Sequence, residues 1–163
     1  MEEYRKIFNK RNLILSFLIL FIFFIDRISK IFILDKFNDY SYFINDYLNF
    51  NLIWNTGIGF GIFSSVNNFF YHLISFVIGI IILFLFYLIL TSKIRREKIF
   101  FSLIIGGALG NFYDRVVFRA VPDFIDIHYK NFHWFTFNIA DIFISIGVIF
   151  MILIEFIDNN KNN

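Results

Sequence analysis

The stretch FTFNIADIFISIGVIFMILIEF, residues 135–156, decides the fold class, because it is apolar for about the length of one membrane span. A helix of roughly 20 residues crosses the hydrocarbon core of a bilayer. Asn138 and Asp141 lie at the entrance of this run, one helical turn apart and on the same face. An ionisable group at membrane depth costs about 2.5–3.5 kcal/mol on insertion scales, so we expect Asp141 to have a partner elsewhere in the chain.

Three further apolar segments precede this one, and the four segments cover about residues 13–34, 69–90, 99–118 and 137–157. Hydrophobic residues make up 58% of the chain, above the share that is usual for a soluble domain. We therefore predict an all-α membrane protein with four transmembrane helices in a single integral membrane domain, residues 1–163. A cleaved signal peptide is the competing interpretation of the first segment, but no small-residue cleavage site follows it, which favours a retained helix.

The positions of the basic residues predict the orientation of these helices. Those near the start of the chain are Arg5, Lys6, Lys10 and Arg11, and those after the second segment are Lys93, Arg95, Arg96 and Lys98. By the positive-inside rule, both termini and the loop 91–98 are cytoplasmic. The connections 35–68 and 119–136 then face outward.

The first outward connection alternates aromatic and polar residues and contains three closely spaced glycines. This pattern is typical of short strands and a turn, so we predict a small β-like extracytoplasmic platform over about residues 37–65, between helices 1 and 2. We predict that the second connection, about residues 119–136, is an outer loop.

Aspartates near the outer side are the candidates for chemistry. Four lie in or near the spans, and three of them have a basic residue close by with which they could pair: Asp26 with Lys30, Asp114 with Arg115, and Asp123 with Arg119. Asp141 has no such neighbour. Two carboxyl groups held close together share one proton, so that one can activate water while the other polarises a peptide carbonyl.

Two residues could complete such a pair with Asp141. Asp114 lies on the third helix, where Gly106 and Gly110 permit close contact with a neighbouring helix. Asp123 lies in the outer loop after Pro122, which fixes one backbone angle. The residues alone favour Asp123 only slightly, and a polar cluster that merely holds two helices together is the structural alternative.

Other kinds of site have weak support. The chain has no cysteine, which excludes disulfides and thiolate chemistry. Its net charge of +2 is too small to indicate a nucleic-acid partner. His128 and His133 with Asp126 could suggest a metal site, but there is no H-E-x-x-H motif. We expect interfacial histidines whose polar atoms are satisfied, and therefore no metal and no cofactor.

Several motifs resemble those of one known family. DRISK (26–30), NTGIGFGIF (55–63), GGALGNFYDR (106–115), VPDFID (121–126) and FNIAD (137–141) occur in the order found in the lipoprotein signal peptidases, the type II signal peptidases of bacteria. The resemblance extends from about residue 26 to residue 147. It implies a membrane-embedded aspartyl endopeptidase of the bacterial inner membrane, whose partners are lipid-modified prolipoproteins and membrane lipids. Such an enzyme cuts the signal peptide just before the lipid-modified cysteine, and we expect a monomer.

The resemblance also implies roles for individual residues. Asp123 and Asp141 match the two catalytic aspartates of the family. The residues that match its substrate-binding or supporting groups are Asn55, Gly57, Asn111, Asp114, Arg115, Asn138, Asp26 and Lys30.

The chain departs from the usual family pattern at four positions: Arg27 replaces Gln, Ser29 replaces Thr, Gly59 replaces Ala, and Pro122 replaces Val. None of these changes removes an expected catalytic or binding group. A small transporter or channel subunit with a carboxylate proton relay is the alternative from another functional class. Its weakness is that the acidic residues gather at one end of the helices.

Overall fold

A computed structural model describes residues 10–37, 41–57 and 68–161 of the chain. This described part is mostly helical, with a small antiparallel sheet on one side. The helices are α1 (Lys10–Lys36), α2 (Asn68–Thr91), α3 (Arg95–Phe118) and α4 (Ile139–Lys161). The strands are β1 (Tyr42–Asn45), β2 (Leu48–Asn55), β3 (Val121–Tyr129) and β4 (Phe132–Phe137).

The central helix is α3, which contacts α1, α2 and α4. Its glycines make this possible: a Cβ atom placed on Gly106 would lie 2.7 Å from the Cβ of Ile22 on α1, and one on Gly110 would collide with the Asp26 carboxylate. The expected close helix contact at Gly106 and Gly110 is therefore confirmed, and α1 is the partner. Polar side chains of α1 and α3 can consequently meet inside the bundle.

Among the described residues, two helices are long and apolar enough to cross a membrane, over Tyr71–Thr91 in α2 and Ile139–Asp158 in α4. Large apolar side chains project outward from them, including Leu83 and Phe156, which are 70% and 69% exposed. Such a surface is suited to a lipid environment. The count of four spans stays a prediction.

The sheet has the order β1-β2-β3-β4, and all neighbouring strands are antiparallel. β1 and β2 fall within the predicted platform; of that platform, residues 38–40 and 58–65 lie outside the described residues. Most of the predicted outer loop over 119–136 forms β3 and β4 of the same sheet, so it is not irregular, and its outward position stays a prediction. β3 begins with four buried residues and β4 with four exposed ones, so neither strand shows a strict alternation. β3 also pairs with β2, which is remote in sequence.

α3 leads into this sheet through a tight reversal. Arg119 ends the helix in the left-handed conformation, with φ of 57°. β3 starts two residues later, so that Asp123 lies close to the ends of the helices. The reversal therefore brings a strand residue against the start of α4.

Candidate active site

The start of α4 is fixed by reciprocal hydrogen bonds between Asn138 and Asp141. The backbone N–H of Asp141 donates to Oδ1 of Asn138 at 3.0 Å, and the backbone N–H of Asn138 donates to Oδ2 of Asp141 at 3.1 Å. This is a capping box, which satisfies two backbone donors that a helix start otherwise leaves free. The Asn-x-x-Asp spacing is a sequence signal for it. The arrangement holds the Asp141 carboxylate at a defined place on the first turn.

Asp123 approaches the same asparagine from the sheet. Its carboxylate accepts hydrogen bonds from Nδ2 of Asn138 at 2.6 Å and from Nδ2 of Asn55 at 2.9 Å. Asp123 is only 3% exposed. Asp123 and Asp141, called the aspartate pair from here on, are thus joined through Asn138. Of the two candidate partners for Asp141, it is Asp123 that shares a hydrogen-bonding residue with it.

Asn111 on α3 supports the pair from the other side. Its Nδ2 donates to Oδ1 of Asp141 at 2.8 Å, while its Oδ1 accepts from Nζ of Lys30 at 2.8 Å. An ammonium group can only donate, so Lys30 determines which end of the Asn111 amide faces Asp141.

Four charged side chains form an ionic cluster beneath the pair: Asp26, Arg27, Lys30 and Asp114. Nζ of Lys30 lies 2.8 Å from Oδ2 of Asp26 and 2.7 Å from Oδ2 of Asp114, and Arg27 pairs with Oδ1 of Asp114. The predicted pairing of Asp26 with Lys30 is confirmed. The remaining carboxylate oxygen of this cluster is also used, since Oδ1 of Asp26 accepts the backbone N–H of Ala140 at 3.0 Å.

Two other predicted ion pairs were wrong. Asp114 pairs with Arg27 and Lys30 instead of Arg115, because adjacent residues on a helix point in directions about 100° apart. Asp123 is bound by asparagine amides, whereas Arg119 ends α3.

Arg115 instead turns toward the first outer connection. Its Nη2 donates to the carbonyl oxygen of Gly57, and its guanidinium lies 5.9 Å from the ring centre of Tyr71. The N–H of Gly57 donates to Oδ1 of Asn55 at 2.8 Å, which ties this turn to the residue that binds Asp123. Nε and Nη1 of Arg115 are buried and have no hydrogen-bond partner within residues 10–37, 41–57 and 68–161. They are donors available to a bound ligand.

The electrostatics of the site favour a shared proton. Burial raises the pKa of Asp123 from its ordinary 3.8 to about 7, and the neighbouring Asp141 carboxylate adds to this effect. The amides of Asn55 and Asn138 oppose it by stabilising the charged form. The aspartate pair can therefore retain a proton near neutral pH, as acid–base chemistry requires.

An apolar pocket of about 280 Å³ opens beside Asp141. Its remaining lining residues are Phe135, Phe137, Ile142, Ser145, Ile146 and Ile149. Most of them follow one face of α4 away from the carboxylate. The pocket can take an apolar chain whose polar end lies at the aspartate pair.

The residues that depart from the family pattern leave this geometry intact. Arg27 belongs to the ionic cluster, and its guanidinium also lies 4.7 Å from the ring centre of Tyr113. Ser29 donates to the backbone oxygen of Asp26 at 2.7 Å. Pro122 pairs with Trp54 between β3 and β2, so it is accommodated in the strand. Gly59 lies outside the described residues.

Sequence reasoning missed three contributors to the site: Arg27 as the partner of Asp114, Tyr71 and Ala140. The hydroxyl of Tyr71 donates to the backbone oxygen of Arg115 at 2.7 Å. Ala140 contributes a backbone N–H. Neither of the last two carries a side-chain signal that sequence spacing could reveal. Arg27 could have been found, because it lies next to Asp26 and one turn before Lys30.

Comparison with known proteins gives a consistent result. The family model described as "Signal peptidase (SPase) II" matches residues 18–157. The lipoprotein signal peptidase of Pelagibacter ubique (strain HTCC1062) is 46% identical and covers 94% of both chains. That of Blochmanniella pennsylvanica (strain BPEN) is 40% identical over 71% of this chain and 72% of its own. A solved structure described as "Bacterial membrane enzyme structure by the in meso method at 2.3 A resolution" is 31% identical, covers 91% of both chains, and has a TM-score of 0.74.

Proposed function

The chain belongs to the signal peptidase II family, and from this premise we propose that it is a membrane-embedded aspartyl endopeptidase. Its substrates are bacterial prolipoproteins that carry a diacylglyceryl group on a cysteine. The enzyme cleaves the peptide bond just before that cysteine and so removes the signal peptide. The observation that carries this proposal is the aspartate pair joined through Asn138, in which Asp123 is buried and has a pKa of about 7.

Peptide hydrolysis by this pair needs one ionised and one protonated carboxyl group. The ionised carboxylate accepts a proton from a water molecule as the water oxygen attacks the scissile carbonyl carbon. The protonated carboxyl donates to the carbonyl oxygen, and the resulting tetrahedral species collapses with proton transfer to the leaving amide nitrogen. Asp123 and Asp141 titrate as a pair, so the proposal assigns the two roles to the pair and not to each residue.

Arg115 is placed to hold the substrate backbone. Its buried Nε and Nη1 have no hydrogen-bond partner in the described ranges, so they can donate to a substrate carbonyl without losing an existing hydrogen bond. Asn55, Asn111 and Asn138 act mainly on the aspartates, because their amide groups are already directed at the two carboxylates. Gly57 positions both Asn55 and Arg115.

The apolar pocket along α4 suits the signal peptide. Its lining is almost entirely apolar, and Asp141 lies at its end. A hydrophobic segment in this pocket would bring the following peptide bond to the aspartate pair. The lipid of the modified cysteine would then lie between helices, in contact with the bilayer.

For the topology, we propose four spans with both termini in the cytoplasm of a bacterium and the aspartate pair near the outer face of the inner membrane. The protein would act as one integral membrane domain and as a monomer. The burial of Asp26, Lys30 and Asp114 between α1 and α3 supports this topology, because these helices then present mainly apolar residues outward.

The decisive experiment replaces each aspartate of the pair separately by asparagine. We expect D123N and D141N to slow the conversion of a lipid-modified prolipoprotein by at least about 10³-fold, because acid–base catalysis by the pair needs both carboxyl groups. Conversion would be followed with purified enzyme as the loss of the signal peptide on a gel. D46N, which changes an exposed aspartate on the turn between β1 and β2, is the matched control and should keep full activity.

Full cleavage by either D123N or D141N, at normal abundance in the membrane, would contradict the proposal. The proton-relay alternative would gain support if both variants cleaved the substrate normally but lost proton transport across vesicles.

A further inference from the structure

A second cluster of chemically capable side chains lies on the sheet, apart from the aspartate pair. Asp126 and His128 belong to β3, and His133 on β4 is the direct cross-strand partner of His128. One potential ligand atom from each of the three residues lies within 4.8 Å of the others. The two imidazole rings are nearly parallel, with centroids 5.2 Å apart.

The hydrogen bonding within this cluster is incomplete. Nδ1 of His133 lies 2.8 Å and 3.0 Å from the two carboxylate oxygens of Asp126, so this histidine is satisfied as the sequence led us to expect. His128 is not. It is 8% exposed, and its buried Nδ1 has no hydrogen-bond partner in the described part of the chain.

The nearest carboxylate does not remove this deficiency. Nδ1 of His128 lies 3.9 Å from Oδ2 of Asp126, which is too far for a hydrogen bond. An unsatisfied buried polar atom is unfavourable, and folded proteins rarely keep one without a reason. A bound ion located between Nδ1 of His128, the Asp126 carboxylate and His133 would give this nitrogen a partner.

A metal ion of the zinc class fits the spacing. Zinc binds imidazole nitrogen and carboxylate oxygen at about 2.0–2.2 Å, so tetrahedral ligands lie roughly 3.3–3.5 Å from one another. The separations from Asp126 to His133 and to His128, 2.8 Å and 3.9 Å, fall on either side of this value. Small side-chain rotations would equalise them.

The donor types select among the metals. Two imidazoles and one carboxylate suit Zn²⁺, Ni²⁺ or Cu²⁺, whereas Mg²⁺ and Ca²⁺ prefer oxygen ligands alone. The side chain of His133 is 56% exposed, so an ion can reach the cluster from solvent. Three protein ligands leave a fourth tetrahedral position for water.

We propose that Asp126, His128 and His133 form a binding site for a zinc-class divalent metal ion, a function beyond the proposed peptidase activity. The ion would link β3 to β4 at the outer end of their hairpin. Asp126 is three residues from Asp123, about 10 Å along the strand, so the ion takes no part in peptide hydrolysis but fastens the strand that carries Asp123.

The test is a titration of the purified full-length protein, free of any histidine tag, with ZnCl₂ in a calorimeter. We expect one ion per chain, and at least about 100-fold weaker binding in H128A and in H133A, each of which removes a ligand. The third histidine of the chain, His72, lies exposed on α2, so H72A is the matched control and should bind zinc like the wild type.

A thermal unfolding measurement distinguishes loss of zinc binding from loss of folding in the variants. Saturating ZnCl₂ should raise the unfolding temperature of the wild type and of H72A by several degrees, because it binds only the folded hairpin, and it should not raise that of H133A. Since His133 is exposed, H133A should fold normally. The proposal is overturned if the wild type binds no zinc, if H133A binds it as tightly as the wild type, or if MgCl₂ binds equally well. These measurements do not depend on whether the chain cleaves prolipoproteins.

Discussion

Four aspartates lie in two neighbouring clusters, and the surroundings of the two clusters differ in one respect. In the ionic cluster, the two carboxylates face two cations, so that the charges balance. In the aspartate pair, the donors are neutral amides of three asparagines. A neighbouring cation stabilises the charged form of a buried carboxylate more strongly than a neutral amide does. The first arrangement suits a fixed structural element, and the second suits groups that exchange a proton.

The two clusters are connected through one residue. Lys30 donates to the oxygen of the Asn111 side chain, whose nitrogen donates to Asp141. The ionic cluster thereby orients the Asn111 amide that binds the aspartate pair. Asp26 adds a second link through the backbone N–H of Ala140 in the first turn of α4. Charge balance in one cluster therefore supports geometry in the other.

The largest effect should follow from breaking the balance of the ionic cluster. In K30M, Asp26 and Asp114 lose their shared cation while they stay buried, and removal of one partner of such a group costs about 3–5 kcal/mol. We expect a lowered unfolding temperature of the purified protein and low abundance in the membrane. Thermal unfolding in detergent measures this effect.

The matched double variant K30M/D26N removes one negative charge together with the positive one. The side-chain oxygen of the asparagine introduced by D26N can still accept the backbone N–H of Ala140, and Arg27 still pairs with Asp114. The double variant should recover at least half of the lost stability. If K30M alone were as stable as the wild type, the distinction between the two clusters would fail.

The next effect concerns Asn138, which joins the two residues of the aspartate pair and also caps α4. N138A removes both functions, and the loss of a hydrogen bond to a charged group costs about 1.5–3 kcal/mol, or roughly 10–100-fold in cleavage rate. N138S keeps a capping hydroxyl that is too short to reach Asp123. We expect N138S to unfold near the wild-type temperature but to cleave prolipoprotein as slowly as N138A. Wild-type cleavage by N138S would mean that the contact from Asn138 to Asp123 is unimportant.

The sequence was sufficient to locate the helices but not the whole sheet. A helix whose outward side chains contact lipid is apolar along its whole length, so an apolar run in the sequence is enough to locate it. The observed helix ends differ from the predicted runs by a few residues. β3 was missed because Val121 to Phe124 are all buried, which hides the alternation of a strand. Its pairing also depends on β2, about 70 residues earlier, and such register is not encoded locally.

For the site, the sequence identified the acidic residues better than their partners. The residues alone left Asp114 and Asp123 open as partners of Asp141, and only the resemblance to a family favoured Asp123 clearly. The partners of Asp114 lie 84 and 87 residues away, so sequence neighbours were misleading. A buried charge predicts that a partner exists, whereas the identity of that partner follows from helix packing.

The proton of the aspartate pair predicts a specific pH dependence. The pKa of Asp123 is about 7, so the pair holds its shared proton below this pH and loses it as the pH rises through this value. Cleavage should therefore fall about tenfold per pH unit above roughly pH 7. N55A removes an amide that stabilises the ionised form, so it should raise the pKa and move this decline to higher pH. A pH–rate profile of both enzymes tests the shift; a decline at unchanged pH in N55A would contradict it.

The smallest effect should come from an ion pair that belongs to neither cluster. Arg96 at the start of α3 pairs with Asp158 near the end of α4, and the two side chains are 46% and 41% exposed. Water already solvates both groups, so the pair contributes little, within about 0–1 kcal/mol, and salt screens it. R96A should unfold within about 2 °C of the wild type, in contrast to K30M, which leaves carboxylates buried without their cation. If R96A destabilised the protein as strongly as K30M, then burial would not be what makes the ionic cluster matter, and the contrast with the aspartate pair would have to rest on hydrogen bonding alone.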